Sequence, residues 1–109
     1  MMYGNYTLED MENAHNRRYE ASKAYVDESI KMSGSAITIE KLKHLVSMIE
    51  NTINAYIETK DIIPFEDNDV KYINDLEDRK NKLNERITSI KEHMASLQKM
   101  GKIPLWLNF

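Results

Sequence analysis

Between residues 70 and 100, apolar side chains recur in alternating steps of three and four residues, interrupted once by Lys80. This spacing is typical of a coiled-coil seam, along which one helix packs against another. The pattern therefore predicts a long helix over residues 69–100, the third of the chain, that needs a second apolar helix surface to cover it. The seam consists of Ile73, Leu76, Leu83, Ile87, Ile90, Met94 and Leu97.

A first helix is predicted over residues 8–32. Thr7 and Asp10 have the three-residue spacing of a capping box, in which each side chain accepts a hydrogen bond from the backbone N–H of the other residue. Gly34 lies where a glycine commonly ends a helix. Small and polar residues interrupt the apolar face of this helix, so we expect it to pack more loosely than the others.

A second helix is predicted between the other two, over residues 39–63. Thr38 is a suitable N-cap. Pro64 biases the residue before it away from helical geometry, so we expect the helix to end there. The apolar stripe of this helix is wider than a seam between two helices requires, which predicts contacts with two neighbours.

Composition favours a purely helical fold. The chain has 109 residues, 30% of them charged, with three glycines and two prolines, which fits long amphipathic helices better than sheets. We expect residues 1–109 to form one all-α domain, a three-helix bundle or helical hairpin with coiled-coil-like packing. The second and third helices would form its core hairpin, with the first laid across it. Because a chain of this length buries a modest core, homo-oligomerisation is expected to complete the fold.

The charges of the third helix bear on what covers its seam. Acidic residues dominate from 61 to 78 and basic residues from 79 to 102. An antiparallel pair of these helices centred near Glu85 would set acid beside base and would close around a two-fold axis, as a homodimer requires. The same charges also complement the dipole of a single helix. The second helix of the same chain could equally cover the seam. The sequence leaves open whether the third helix pairs with the second helix or with a second copy of itself.

Cationic and aromatic residues cluster in the middle of the first helix. Guanidinium groups beside aromatic rings suit a phosphate or nucleotide ligand. The alternative is that the arginines are solvated and pair with Glu20 and nearby acids. If the ligand interpretation is right, Arg18→Ala should abolish binding with little change in melting temperature. The candidate ligand-binding residues are His15, Arg17, Arg18, Tyr19, Lys23 and Tyr25.

The last segment, residues 103–109, is too apolar to remain in water without cost. It could fold back over its own bundle, dock on another subunit or bind a different protein. Tryptophan and phenylalanine anchors of this kind often dominate interface energies. The candidate partner-binding residues of this tail are Leu105, Trp106, Leu107 and Phe109.

No catalytic chemistry is predicted. The absence of cysteine excludes disulfides and thiolate ligands, and no glycine-rich phosphate loop occurs. Glu12 and His15 have the spacing found in di-iron helical bundles, but no second such pair occurs. Asp67 and Asp69 begin like a calcium loop, which Lys71 then interrupts. We therefore predict no metal, no cofactor and no enzymatic activity.

The net charge and the hydropathy of the chain limit the classes of partner that it is expected to bind. A net charge of −3 disfavours binding to nucleic acid or an anionic membrane, and no apolar run approaches the length of a transmembrane helix. With no signal-peptide pattern, a cytoplasmic location is expected.

We predict a small non-catalytic helical interaction protein that binds itself and another protein, as an adaptor, assembly factor or inhibitor, including a phage-type accessory role. The alternative is a helical oligomer that sequesters a small ligand or nucleotide through the Arg/Tyr cluster.

Overall fold

The computed structural model describes residues 5–99, which form three α-helices and no β-strand. Helix α1 spans Leu8–Met32, α2 spans Ile39–Glu58 and α3 spans Asp67–Lys99. The predicted all-α class is confirmed. None of these helices is both long and apolar enough to cross a lipid bilayer. The predicted tail residues lie outside the described part of the chain: Leu105, Trp106, Leu107 and Phe109.

Helix α1 begins with the capping box that the sequence predicts. The hydroxyl oxygen of Thr7 accepts the backbone N–H of Asp10 at 3.1 Å, and the Asp10 carboxylate accepts the backbone N–H of Thr7 at 3.0 Å. Two amide donors that a helix start leaves without partners are thereby satisfied.

Helix α2 is shorter than predicted, because it ends at Glu58 and not at residue 63. Thr59 is the C-cap, and the next residues form a turn in which the N–H groups of Ile62 and Ile63 both donate to the Thr59 carbonyl, at 3.0 and 2.9 Å. The prediction was wrong because it considered only the local effect of Pro64. The turn is stabilised by hydrogen bonds that Arg18 of α1 donates to Thr59 and Ile63.

Helix α2 lies between the other two helices and packs against both, whereas α1 and α3 contact each other much less. Arg17 of α1 meets Glu58 at the end of α2, and Tyr56 contacts Tyr72 near the start of α3, with ring centroids 5.7 Å apart. Both neighbours therefore run antiparallel to α2. The molecule is elongated, with principal dimensions of 67 × 21 × 20 Å.

The seam of α3 is covered by α2 of the same chain. Leu76, Leu83 and Ile87 are buried in one core with the apolar stripe of α2, and Ile73 and Ile90 pack against its edge. The buried α2 members of this core are Ile39, Leu42, Leu45, Val46, Ile49 and Ile53.

This packing bears on the predicted homodimer. Helix α3 has 33 residues, about 50 Å, and α2 has 20, about 30 Å, so α3 is much the longer. Ile87 is the last α3 residue in the shared core and Ile90 packs against its edge, and Met94 and Leu97 follow, half-buried, further along the same face. A dimer in the predicted register would need the central seam residues that α2 already covers.

Candidate functional site

The structure separates the predicted ligand-binding residues of α1 into two groups. Arg18 is 6% exposed, and Tyr25 is half-buried against the core. The other four lie on exposed parts of the helix surface: His15, Arg17, Tyr19 and Lys23. Of these, His15 and Tyr19 line the same cleft as Arg18, whereas Arg17 and Lys23 do not.

Two of the exposed cations pair with carboxylates. The Nε group of Arg17 donates to Glu58 at 2.9 Å, which links α1 to the end of α2. Lys23 pairs with Asp27 one turn further along α1, at 3.4 Å. Exposed pairs of this kind contribute little to stability, typically about 0–1 kcal/mol.

Arg18, in contrast, holds the end of α2. Its Nε donates to the Thr59 hydroxyl at 2.6 Å, and its Nη2 donates to the carbonyls of Ile63 at 2.8 Å and Tyr56 at 3.4 Å. The last carbonyls of a helix lack partners within the helix, and a cation there also complements the helix dipole. Arg18 therefore fixes the turn after α2 and ties it to α1.

Aromatic rings enclose the same guanidinium. The Cζ atom of Arg18 lies 4.8 Å from the ring centroid of Tyr56 and 5.5 Å from that of Phe65, distances at which a cation is attracted to the ring face. Burial lowers the pKa of Arg18, while nearby Asp69 and Tyr56 act in the opposite direction. An arginine is charged at any physiological pH, so a fixed positive charge lies inside the fold.

A cleft of about 380 Å³, here called the Arg18 cleft, opens beside this contact. Its carboxylates Glu66 and Asp69 offset the charge of Arg18, whose Nε and Nη2 are already used within the protein. Nucleotide binding here stays a prediction, and this charge balance weakens it. The lining residues are His15, Arg18, Tyr19, Ser22, Tyr56, Ile63, Pro64, Glu66 and Asp69.

Tyr56 makes the stability of this end of the fold sensitive to alkaline pH. Its pKa is raised chiefly by burial, with Tyr72 and Asp69 adding to the rise and Arg18 opposing it. The folded state thus favours the neutral phenol, whereas the unfolded chain ionises near pH 10. The contribution to stability is full below about pH 10 and is lost as the pH rises through the pKa of the folded state.

We therefore expect the free energy of unfolding to fall above about pH 10, and to fall less steeply in Tyr56→Phe. Urea denaturation at a series of pH values measures this. Tyr19→Phe, which changes an exposed tyrosine of α1, is the matched control. If the free energy of unfolding fell equally steeply above about pH 10 in the wild type and in Tyr56→Phe, the link between this loss and the raised pKa of Tyr56 would be wrong.

The two spacings that resemble metal-binding motifs, Glu12 with His15 and Asp67 with Asp69, do not form a metal site in the described residues. Asp69 accepts the backbone N–H of Glu66 at 2.9 Å and so caps the start of α3. Glu12 and His15 are exposed on α1. Among residues 5–99, no three His, Asp or Glu side chains come together as a metal site would require.

A second groove, which the sequence interpretation missed, lies between the end of α1, the start of α2 and the middle of α3. Its volume is about 210 Å³. Its apolar part includes Met32, Leu42, Leu45 and Leu83, and its cations are Lys41, Arg79 and Arg86. We call it the basic groove. The signal in the sequence was that both arginines flank the seam residue Leu83, four positions before it and three after it.

A third feature is an apolar stripe on the side of α1 that faces solvent. At about 100° per residue, its members lie within an arc of about 40°. Each is 44–68% exposed, whereas the buried residues Ala14, Arg18 and Ala21 lie on the other side of the helix. The predicted apolar face of α1 is therefore split in two. We call this stripe the outer face of α1; it consists of Leu8, Tyr19, Val26 and Ile30.

No protein-family model, curated protein or solved structure was found to match this chain. Function is therefore inferred from the geometry of the two clefts and the outer face of α1.

Proposed function

We propose that this chain is a small non-catalytic interaction protein that binds another protein through the outer face of α1. The observation that carries the proposal is the exposure of four large apolar side chains on one side of a helix whose other side lies against the core. A surface helix normally has one apolar stripe. A second, exposed stripe is the feature that marks a protein interaction site.

The composition of the outer face suits a helix that enters a groove on its partner. Tyr19 lies at the middle of the stripe, and an aromatic side chain there supplies a large contact area. Glu12 lies within the arc of the stripe, between Leu8 and Tyr19, and His15 and Lys23 lie about 20° outside its two edges, so polar groups accompany the apolar anchors. Apolar anchors spaced along one helix face are the arrangement used in helix-in-groove recognition. The expected partner therefore presents a hydrophobic groove, which fits an adaptor, assembly factor or inhibitor.

The outer face also offers a surface for self-association. The predicted dimer through α3 would require Leu76, Leu83 and Ile87 to leave the core that they share with α2. Pairing through α1 leaves that core intact. A second copy of this chain is thus a candidate partner, and sedimentation of the purified protein distinguishes it from a foreign one.

We expect Tyr19→Glu combined with Ile30→Glu to weaken partner binding at least tenfold, because two charges would enter an apolar interface. Both side chains are exposed, so the melting temperature should change little. A photo-crosslinking amino acid at position 19, expressed in the native host, identifies the partner. Titration of that purified partner then measures the affinity.

Asn51→Glu combined with Asn54→Glu is the matched control, because it adds the same charge at exposed positions of α2. This control should bind as the wild type does. The proposal is wrong if position 19 yields no crosslinked product, or if the partner binds the α1 double variant as tightly as the wild type.

The alternative function, sequestration of a nucleotide-like anion, is supported by the size of the Arg18 cleft and by the presence of His15, Arg18 and Tyr19 in its lining. The carboxylates in the same lining argue against it. Calorimetric titration with adenosine and guanosine nucleotides tests it directly, and saturable binding would favour it over the protein-binding function.

A further inference from the structure

The furrow between α1 and α3 is divided into two compartments. The hydroxyls of Ser22 and Tyr72 are hydrogen-bonded across it. The Arg18 cleft lies on one side of this bridge, near the end of α2, and the basic groove lies on the other, near its start. The two compartments differ in charge, because acidic residues line the first and none lines the second.

The basic groove concentrates positive charge in a chain whose net charge is −3. Lys41, Arg79 and Arg86 line it without any carboxylate. Within residues 5–99, neither arginine forms a salt bridge, and Lys41 uses one donor, to the carbonyl of Ala36 at 2.8 Å. Several N–H donors therefore remain for an anion.

Apolar side chains form much of the remaining wall. Leu42, Leu45 and Leu83 are buried members of the core that reach the groove, and Met32 adds a flexible apolar side chain beside them. Ile37 also lines the groove and is about half exposed, so it continues the apolar surface outwards. A ligand here would need an uncharged chain as well as a negative group.

The size of the groove limits the ligand. A volume of about 210 Å³ lies below the roughly 300–1,000 Å³ of pockets that enclose drug-sized ligands, which favours a small ligand. Arg79 and Arg86 are two helical turns apart, about 10 Å, so their long side chains can approach one anion from both sides. Guanidinium groups match the planar geometry of a carboxylate.

We propose that the basic groove binds a small amphiphilic carboxylate. Its short aliphatic chain lies against Leu42, Leu45 and Leu83, and its carboxylate is held by Arg79 and Arg86. This site uses none of the residues of the outer face of α1, so it stands or fails independently of the proposed protein-binding function.

Octanoate is the probe, and methyl chemical shifts in NMR spectra of the intact chain are the measurement. We expect saturable shifts at the methyl groups of Leu42, Leu45 and Leu83. Acetate lacks the chain and octylammonium has the opposite charge, so neither should saturate these shifts. Octanol, with the chain but no charge, should bind at least tenfold more weakly.

The variant Arg79→Gln/Arg86→Gln should weaken octanoate binding at least tenfold. Lys82→Gln/Lys91→Gln removes the same charge from exposed positions of α3 outside the groove and should leave the affinity within twofold. All four side chains are exposed, and thermal unfolding verifies that both variants are folded.

Three results would overturn the proposal. The first is no saturable shift at the three leucines. The second is an equal response to octylammonium, or shifts centred on Val26 and Ile30, which would indicate unspecific apolar contact. The third is unchanged affinity in Arg79→Gln/Arg86→Gln.

Discussion

Replacing Arg18 by alanine is expected to lower the free energy of unfolding by about 3 kcal/mol, and the melting temperature by about 10 °C or more. The substitution leaves the Ile63 carbonyl without its side-chain donor and removes one of the two side-chain donors to the Tyr56 carbonyl, the other being the Thr59 hydroxyl. It also removes the cation that contacts the rings of Tyr56 and Phe65. Hydrogen bonds to charged groups contribute about 1.5–3 kcal/mol each. Urea denaturation followed by circular dichroism measures the loss.

The neighbouring residue provides the control. Arg17→Ala removes the same side chain from an exposed ion pair with Glu58, so its cost should be within about 1 kcal/mol. Arg18→Lys keeps the charge but not the planar fork, and we expect an intermediate stability. A melting temperature of Arg18→Ala within about 2 °C of the wild type would contradict the structural role. That result would instead match the ligand interpretation of the sequence, in which Arg18 is free to bind an anion.

Ile49→Ala is expected to lower the free energy of unfolding by about 2–5 kcal/mol. Ile49 is fully buried on α2, at the centre of the core that joins α2 to α3. Truncation there removes apolar contacts and leaves a cavity that packed helices fill only in part. Domains of this size have a total stability of about 5–15 kcal/mol, so the variant should have a markedly lower midpoint in urea.

Ile30→Ala is the matched control, since it makes the same change at an exposed position of α1. Its effect should lie within about 0.5 kcal/mol. If both substitutions had similar costs, the assignment of α2 as the central helix and of the outer face as solvent-exposed would be wrong. Together with the double variant of the outer face, these substitutions separate residues that stabilise the fold from residues proposed to bind a partner.

The amino-acid sequence by itself determined the helical class, the start of α1 and the start of α2. These features depend on interactions within a few residues: the Thr7–Asp10 capping box, the Thr38 cap, and the three-and-four spacing of apolar positions. Such local patterns persist whatever the rest of the chain does. The same spacing indicated that α3 needs an apolar partner, but a stripe of apolar residues does not identify the surface that covers it.

Only the tertiary structure decided which surface covers the apolar seam of α3, and at which residue α2 ends. Helix α2 covers the α3 seam in one chain, and Arg18 secures the turn after Glu58 through a contact with Thr59, 41 positions away. The basic groove likewise needs Lys41 and Arg79 to approach each other from different helices. Contacts between residues far apart in the chain form only when the helices pack, so local patterns of the sequence cannot predict them. The inward position of Arg18 and the exposed outer face of α1 follow from that packing.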